Sequence, residues 1–258
     1  MADEQPKKSL GQHWLDDPVA LEAITEAAEI AHSDTILEIG PGLGSLTHYL
    51  VRQAAHVIAV EFDETLAAKL PVKVGARNLQ VVQADILKFD FGDLPSGYKV
   101  VANIPYYLTS NLLRVMSESS NPPHLMVLLV QKEVAERICA HPGQMSILGV
   151  SVQLYYECEL GIMVPSELFT PPPKVDSQVV ILRRHPKPIF NDLDTSKFFR
   201  LVRAGFGEKR KKLRSSLAGG LKLSKTEVDK LLKSAEIDGD LRAQNLALED
   251  WHKIYQKL

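Results

Sequence analysis

The stretch ILEIGPGLGSLT, residues 36–47, decides the fold, because an apolar run gives way there to three closely spaced glycines and then to a helix-like sequence. Gly40, Gly42 and Gly44 permit positive backbone φ angles and let the chain pass close to a ligand. A tight structural turn alone also accounts for such glycines. Glu61, which ends the next apolar run, favours ligand binding, because a carboxylate there can accept both hydroxyls of a ribose.

Apolar runs alternate with helix-like segments through the first two thirds of the chain. Near-continuous apolar strands separated by helices indicate a mainly parallel sheet that is covered on both faces. Two later strands, near 151–158 and 178–183, follow without an obvious helix between them and predict a hairpin-like edge. The earlier strands are predicted at 35–40, 56–61, 79–85, 99–104 and 124–131, and the helices at 17–31, 45–54, 64–70, 109–118 and 132–140.

The character of the sequence changes near residue 188, where two prolines precede a basic, helix-rich tail. We predict a Rossmann-like domain at 1–187 and a small helical domain at 188–258. From Lys197 onward, 15 Lys and Arg stand against 8 Asp and Glu, whereas the rest of the chain carries 15 against 24. This separation of charge favours an anionic partner for the tail, above all nucleic acid, although a solvated helical bundle gives the same counts.

Composition excludes several classes of protein. With 258 residues, of which 45% are hydrophobic and 24% charged, the chain is typical of globular proteins. It has no apolar run of about 18 residues, so no membrane span is predicted. Cys139 and Cys158 form neither a metal-binding nor a disulfide pattern, which predicts a cytoplasmic protein. The histidines lack ligand spacing, and no metal site is predicted.

Two polar residues mark the ends of the third and fourth predicted strands. Asp85 follows the third strand, where ligands of open α/β sheets bind, and its carboxylate can accept a hydrogen bond from an adenine amino group. A solvated turn aspartate is the alternative. Asn103 ends the fourth strand and opens the sequence NIPYY, residues 103–107. Both side chains are expected at the same edge of the sheet as Glu61.

The NIPYY sequence suits an enzyme that modifies the exocyclic amine of adenine, which attacks poorly while its lone pair is delocalised into the ring. The amide oxygen of Asn103 and a backbone carbonyl near Ile104 or Pro105 can accept hydrogen bonds from the two amine N–H groups and favour a pyramidal nitrogen. Proline removes a backbone donor from this turn. Tyr106 offers a face on which a base can stack, worth about 1–3 kcal/mol. The predicted catalytic residues are Asn103, Pro105 and Tyr106.

Two later segments are predicted to contact the substrate. FTPPPKVDS, residues 169–177, contains three consecutive prolines that impose a stiff, extended arm. Phe169 is predicted to cover the substrate base opposite Tyr106, and the alternative places its ring in the core. The segment AGFGEKRKKLRSSL, residues 204–217, is predicted to be a basic helix. Its five cations suit a phosphate backbone and are Lys209, Arg210, Lys211, Lys212 and Arg214.

Together these motifs resemble the ribosomal RNA adenine dimethyltransferase family, in particular its bacterial small-subunit (16S) branch. The resemblance implies a class I S-adenosylmethionine-dependent methyltransferase fold, with a seven-stranded sheet and a small C-terminal helical domain. The matching segments span nearly the whole chain and are SLGQHWL (9–15), EIGPGLG (38–44), VEFD (60–63), QADIL (83–87), NIPYY (103–107), QKEVAERI (131–138), FTPPPKVDS (169–177), the basic segment 204–217 and RAQNL (242–246).

The resemblance also implies an activity. S-adenosylmethionine is the expected cofactor, and two adjacent adenines near the 3′ end of small-subunit ribosomal RNA, in a pre-30S particle, are the expected substrate. The target base must leave its stack to react. A monomeric cytoplasmic enzyme without membrane contact is expected. The predicted cofactor-binding residues are His13, Leu15, Gly40, Gly42, Glu61, Phe62, Asp85, Ile86 and Asn103.

The chain departs from the family pattern in three places. Trp14 replaces a phenylalanine, residues 144–152 lack a Lys-x-Tyr-Gly stretch, and Glu208 replaces a commoner Asn or Gln. Three alternatives stay open. The first is a large-subunit rRNA adenine methyltransferase of the antibiotic-resistance type, and the second is a non-catalytic ribosome-assembly factor on the same fold. A DNA adenine methyltransferase is less favoured, because no target-recognition insert is visible.

Overall fold

The computed structural model describes residues 6–7 and 10–258, and these residues form two compact units. The first unit extends through Glu136 and also includes Glu157–Arg184, whereas the second comprises Arg137–Tyr156 and His185–Leu258. The chain passes from the first unit to the second for the last time between Arg184 and His185, close to the boundary predicted near residue 188. The structure differs from the prediction in Arg137–Tyr156, which was expected in the Rossmann-like domain and lies in the second unit.

The first unit is built on a seven-stranded sheet. Its strands are β2 (Thr35–Ile39), β3 (His56–Glu61), β4 (Leu79–Gln83), β5 (Lys99–Asn103), β6 (Leu125–Gln131), β7 (Tyr156–Val164) and β9 (Ser177–Arg184). Their order is β4-β3-β2-β5-β6-β9-β7. The five strands from β4 to β6 run parallel, and β9 is antiparallel to β6. The predicted mainly parallel sheet with a differently connected edge is therefore confirmed.

Helices link parallel strands of this sheet, whereas two short 3₁₀ turns lie between β4 and β5. The central strands are apolar along their length because both of their faces are buried, as Val100 and Val127 illustrate with no exposed surface. No helix in the described ranges is long and apolar enough to cross a membrane. The helices are α1 (Pro18–Ala27), α2 (Ser45–Gln53), α3 (Glu64–Val74), α4 (Thr109–Glu118) and α5 (Lys132–Ile138).

The strand predicted at 151–158 is wrong in its first half. Residues Ile147–Gln153 form helix α6, and β7 begins only at Tyr156. The Ser146 hydroxyl caps the helix by accepting a hydrogen bond from the Gly149 N–H at 3.1 Å. Val150 of α6 and Leu154, which follows the helix, belong to the hydrophobic cluster of the second unit. Tertiary burial has overridden the β-propensity of this valine-rich segment.

The second unit is helical, as predicted for the tail. Trp251 is completely buried at the centre of its core, together with Phe198 and Leu201. Gly205 permits this packing, because a Cβ there would overlap the Trp251 ring. The helices of the tail are α7 (Thr195–Phe206), α8 (Leu213–Leu221), α9 (Lys225–Ser234) and α10 (Leu248–Tyr255).

Candidate active site

A cavity of about 320 Å³ lies in the first unit, at the carboxyl ends of β2, β3, β4 and β5. This is the edge at which open α/β sheets bind their ligands. The structure brings every residue predicted for the cofactor site, and the three predicted catalytic residues, to its lining. These are His13, Leu15, Gly40, Gly42, Glu61, Phe62, Asp85, Ile86, Asn103, Pro105 and Tyr106.

The glycine turn between β2 and α2 forms one wall of the cavity. Gly42 and Gly44 have φ angles of +57° and +85°, which non-glycine residues rarely adopt. A Cβ on Gly44 would lie 2.7 Å from Cδ1 of Leu70, so the end of the leucine side chain would have to move. A Cβ on Gly42 would lie 3.2 Å from the Trp14 ring. The positive φ angles are therefore the main reason for glycine at both positions.

Backbone amides hold the Glu61 carboxylate beside this turn. Its Oε2 accepts a hydrogen bond from the Gly42 N–H at 3.1 Å, and its Oε1 accepts one from the Asp63 N–H at 2.8 Å. The residue is 5% exposed. Burial raises the pKa of Glu61, and the two backbone N–H groups oppose that rise.

Asp85 follows β4 on the other side of β3. Its Oδ1 accepts a hydrogen bond from the Leu87 N–H at 3.0 Å and so caps a short 3₁₀ turn, Ile86–Lys88. This bond occupies one carboxylate oxygen and holds the side chain at the strand end. Asp85 therefore caps a turn and also lines the cavity, so its role as a turn residue is compatible with its predicted role as an acceptor for the adenine amino group.

The triple-proline arm anchors the N-terminal segment beside the cavity. A two-stranded antiparallel sheet pairs β1 (Trp14–Leu15) with β8 (Phe169–Thr170). The His13 ring adds a hydrogen bond between its Nδ1 and the Pro171 carbonyl oxygen at 2.7 Å. These contacts fix His13 and Leu15 at the cavity.

The same pairing contradicts the prediction that Phe169 covers the substrate base. Phe169 is only 3% exposed and packs in the main hydrophobic cluster of the first unit. Its partner in the sheet is Leu15, which is 4% exposed. Strand pairing turns the phenylalanine ring into the core, which is the alternative that the sequence left open.

Asn103 is held by the N-terminal segment. Its Nδ2 donates a hydrogen bond to the His13 carbonyl oxygen at 3.1 Å. Within the described residues, no group donates a hydrogen bond to the remaining amide oxygen. Asn103 lies at the end of β5, where it lines the cavity. The amide nitrogen is therefore held by the protein, and the amide oxygen stays available to a ligand as an acceptor.

Tyr106 is oriented by contacts on its hydroxyl and on its ring. The hydroxyl forms a hydrogen bond with the Ser177 Oγ at 2.8 Å, and the ring stacks on His13 with centroids 5.9 Å apart. Burial raises the pKa of the Tyr106 phenol, and its hydrogen bond with Ser177 opposes that rise. The exposed rings of Phe62 and Tyr107 also border the cavity, at 57% and 64% exposure.

Glu38 is a cavity-lining acid that the sequence analysis did not include. It lies in β2, is 1% exposed, and its Oε2 has no hydrogen-bond partner among the described residues. Burial raises the pKa of Glu38 to about 8, the Thr47 hydroxyl opposes this rise, and the negative charge of Glu61 adds to it. The sequence does contain a signal for Glu38, because an acid within the otherwise apolar strand segment ILEIG, residues 36–40, is unusual.

The predicted basic helix is interrupted. Helix α7 ends at Phe206 and α8 begins at Leu213, so Lys209–Lys212 lie in the connecting loop and only Arg214 lies in α8. A turn forms this loop, because the Lys211 N–H donates a hydrogen bond to the Glu208 carbonyl oxygen at 2.9 Å. The helix prediction for 204–217 is therefore wrong between Phe206 and Leu213.

Acids neutralise part of this basic loop. Lys209 and Arg210 are exposed and have no ion pair in the part of the chain that the structure describes. Of the five cations predicted to contact RNA, these two remain available to an anionic partner. The three paired cations are Lys211 with Glu208, Lys212 with Asp240, and Arg214 with Asp229 and Asp240.

The carboxylates of Glu61 and Asp85 and the amide of Asn103 line the cavity and offer acceptors that suit the hydroxyl and amino groups of a nucleoside. Two further residues of the lining, Glu38 and Trp14, each have a buried polar atom without a hydrogen-bond partner among the described residues. Across residues 6–7 and 10–258, no group of three or more His, Cys, Asp or Glu is arranged to hold a metal ion.

The family model described as Ribosomal RNA adenine dimethylase matches residues 3–258. The chain belongs to the ribosomal RNA adenine dimethylase family. Its relatives include the Ribosomal RNA small subunit methyltransferase A of Dehalococcoides mccartyi, which is 43% identical over 252 residues, or 96% of this chain and 87% of the relative. The protein of the same name from Crocosphaera subtropica is 38% identical, with 96% of each chain covered.

Solved structures agree with this family membership. A dimethyladenosine transferase from Plasmodium falciparum matches with a TM-score of 0.81 and 29% identity, over 94% of this chain and 96% of that one. The 23S rRNA methyltransferase ErmE matches with a TM-score of 0.77 and 29% identity, over 95% and 99%. As a member of the ribosomal RNA adenine dimethylase family, the protein is an S-adenosylmethionine-dependent methyltransferase of rRNA adenines. This confirms the predicted fold class, cofactor and enzyme class.

Proposed function

We propose that this protein dimethylates the exocyclic amines of two adjacent adenines near the 3′ end of small-subunit ribosomal RNA. The observation that carries the proposal is the Asn103 amide, whose Nδ2 is held by the His13 carbonyl while its oxygen stays available at the cavity. The small-subunit target is supported by relatives named Ribosomal RNA small subunit methyltransferase A at 43% identity.

Catalysis in this proposal depends on positioning. When bound, S-adenosylmethionine supplies an electrophilic methyl group on a sulfonium. The Asn103 oxygen accepts a hydrogen bond from one amine N–H, and the backbone carbonyl of Ile104 or Pro105 accepts one from the other, so that the nitrogen lone pair is directed out of the base plane. Once the nitrogen carries the methyl group, its surplus proton passes to solvent. Tyr106, with its hydroxyl fixed by Ser177, presents a ring on which the extruded adenine stacks. Such preorganised groups supply most of the rate enhancement of many enzymes.

In this proposal, residues at the carboxyl ends of neighbouring strands bind different parts of the cofactor. Glu61 at β3 accepts hydrogen bonds from the ribose hydroxyls. Asp85 at β4 accepts a hydrogen bond from the adenine amino group with the oxygen that does not cap its turn. His13 and Leu15 close the site from the N-terminal segment. This arrangement leaves Asn103 at β5 as the strand-end residue of the methyl-transfer position.

The RNA partner is engaged by the second unit in this proposal. Lys209 and Arg210, exposed and without ion pairs among the described residues, contact phosphates of a pre-30S particle. The paired residues Lys211, Lys212 and Arg214 contribute less, because nearby acids already offset their charge. We further propose that the enzyme acts as a monomer in the cytoplasm, where its ribosomal substrate is assembled.

Undermethylated small and large ribosomal subunits provide the test. Each is incubated with the protein and methyl-labelled S-adenosylmethionine, and the RNA is digested to nucleosides. We expect dimethyladenosine in small-subunit RNA only, formed at least about 10²–10³-fold more slowly by the Asn103→Ala variant. Label in large-subunit RNA alone would favour the activity named for ErmE, whose structure is similar. Cofactor binding without transfer to either subunit would favour a non-catalytic assembly factor.

A further inference from the structure

Tyr107 is an exposed aromatic residue at the mouth of the cavity. It is 64% exposed, belongs to the cavity lining and follows Tyr106 directly in the sequence. The hydroxyl of Tyr106 is bonded to Ser177, whereas that of Tyr107 has no hydrogen-bond partner among the described residues. Packing in a core therefore does not explain Tyr107, and a flat ring stays accessible beside the reaction site.

The surrounding backbone holds the Tyr107 ring in a defined position. The residue lies in the short 3₁₀ helix Tyr106–Leu108, between Pro105 and α4. A Cβ built on Gly11 would lie 3.5 Å from both Cδ1 and Cε1 of the ring, so this side of the ring lies beside Gly11. A tyrosine has only two side-chain torsions and loses little entropy when its ring is fixed. The ring is thus backed by the protein on one side and open on the other.

Tyr106 and Tyr107 cannot present their rings to the same ligand group. A 3₁₀ helix has three residues per turn, so successive side chains point roughly 120° apart. Tyr106, which is half-buried and stacks on His13, is the ring proposed for the target adenine. Tyr107 therefore faces what lies next to that adenine. In an RNA strand, this is the base of the neighbouring nucleotide.

Extrusion of the target adenine leaves a neighbouring base without a stacking partner. Enzymes that extrude a base incur this unstacking cost, and aromatic side chains that stack on bases offset it. The first turn of α4, directly after Tyr107, contains no acidic side chain, and Ser110 and Asn111 are exposed and uncharged there. An RNA strand can therefore approach the ring without electrostatic repulsion from the start of this helix.

We infer that Tyr107 stacks on the base that neighbours the target adenine and is a specificity-determining residue for the RNA substrate. The inference rests on the proposed function, in which two adenines are adjacent. Because Tyr107 lies on one side of Tyr106 only, its ring holds the partner adenine in one of the two methylation events. In the other event it holds the next flanking base. Stacking does not depend on the edge of a base, so a partner adenine that already carries methyl groups is still accepted.

The methylation kinetics of three variants test this role. Tyr107→Phe keeps the ring, Tyr107→Leu keeps apolar bulk without a flat aromatic face, and Tyr107→Ala removes both. We expect the KM for undermethylated small subunits to rise about tenfold in Tyr107→Leu and Tyr107→Ala, and to stay within about twofold in Tyr107→Phe, with kcat little changed. An unchanged KM in Tyr107→Ala, or an equal rise in all three variants, would overturn the inference.

Val72→Ala is the matched control for Tyr107→Ala. It removes another exposed apolar side chain of the first unit, at 86% exposure and outside the cavity lining. We expect this control to keep the KM of the unaltered protein. A rise in the KM of Val72→Ala equal to that of Tyr107→Ala would show that loss of any exposed apolar side chain has this effect, and would contradict stacking at Tyr107.

A second measurement identifies the base that Tyr107 contacts. Small subunits are assembled with RNA in which one of the two adenines is replaced by an abasic nucleotide, each in turn, and kcat/KM is measured at the remaining adenine. For at least one of these substrates, we expect the missing base to lower kcat/KM about tenfold in the unaltered protein and about twofold or less in Tyr107→Ala, whose stacking surface is already absent. Equal losses in both proteins with both substrates would exclude contact between Tyr107 and the neighbouring base.

Cofactor affinity distinguishes stacking on RNA from a contact with the cofactor. Because Tyr107 also lines the cavity, the affinity of each variant for S-adenosylhomocysteine is measured by calorimetry, and we expect it to equal that of the unaltered protein. A loss of about tenfold in Tyr107→Ala would place the ring against the cofactor and overturn the inference. If the unaltered protein left small subunits unmethylated, the proposed function itself would fail. If it methylated them and Tyr107→Ala kept the same KM, only the role of Tyr107 would fail.

Discussion

The side-chain amide of Asn103 donates a hydrogen bond to the backbone carbonyl of His13 at 3.1 Å. The bond joins the end of β5 to the N-terminal segment, and the His13 ring bonds in turn to the Pro171 carbonyl at 2.7 Å. Three distant parts of the chain thus orient one amide. The arrangement directs the nitrogen of that amide to the protein and leaves its oxygen to the ligand.

The first prediction concerns this amide. Asn103→Ala removes the acceptor of the amine proton, and we expect turnover to fall by about 10²–10³-fold or more, the range for loss of one preorganised polar group. Cofactor affinity should stay within about tenfold of the original value, because the other cofactor contacts remain. Single-turnover assays with labelled cofactor and calorimetry measure the two quantities.

Asn78→Ala is the matched control for Asn103→Ala. The Asn78 amide donates hydrogen bonds to the carbonyl oxygens of Val51 and Ala54 at 2.9 and 3.0 Å, and it does not line the cavity. Its loss should lower the free energy of unfolding by about 1–3 kcal/mol and leave turnover unchanged. Undiminished turnover in Asn103→Ala would refute the catalytic role of that amide.

A second prediction concerns the Glu61 carboxylate. Glu61→Gln keeps the size of the side chain but replaces one acceptor oxygen by a donor, which cannot bond both the Gly42 N–H and a ribose hydroxyl. We expect the dissociation constant of S-adenosylmethionine to rise about ten- to a hundredfold. Glu64→Gln, at an exposed position, is the control and should bind normally. Equal affinities in both variants would exclude Glu61 as a cofactor contact.

The sequence predicted the elements whose signals are local. Gly42 and Gly44 have positive φ angles that other residues rarely adopt, so the glycine spacing follows directly from the backbone conformation of the turn. Burial on both faces explains the continuous apolar runs such as that of β6, and these located the strands. Cavity residues were predictable because the carboxyl ends of parallel strands meet at one edge.

Features that depend on tertiary packing were not predictable in the same way. Phe169 begins a motif that suits substrate contact, yet its strand pairing with Leu15 places its ring in the core. Residues 147–153 are rich in β-branched side chains, but burial against the tail makes them helical. The acids that neutralise Lys212 and Arg214 lie more than ten residues away in sequence, so spacing gave no indication of those ion pairs.

A third prediction uses the raised pKa of Glu38. Its pKa is about 8 in the folded protein and 4.5 when unperturbed, so the folded state binds the proton more tightly. The resulting stabilisation is complete below about pH 4.5 and is lost as pH rises to about 8, at about 1.4 kcal/mol per unit of pKa difference. Glu38→Gln cannot ionise and should therefore gain stability relative to the original protein as pH rises.

Urea unfolding at closely spaced pH values across this range measures the Glu38 effect. The informative quantity is the difference in unfolding free energy between Glu38→Gln and the original protein, because it cancels the titration of other groups. We expect this difference to grow with pH and to level off above about pH 8. A difference that is independent of pH would show that Glu38 ionises in the folded protein much as it does in the unfolded chain.

The fourth prediction separates free cations from paired ones. Replacing Lys209 and Arg210 together by alanine should weaken RNA binding and make the slope of log affinity against log salt shallower by about 1.4–1.8, because two phosphate contacts are lost. The matched control replaces Lys73 and Arg77, two exposed cations of the first unit, and removes the same charge. We expect the control to keep the original slope. Equal changes of slope in both double variants, measured by filter binding to small-subunit RNA, would show that net charge and not the basic loop governs binding.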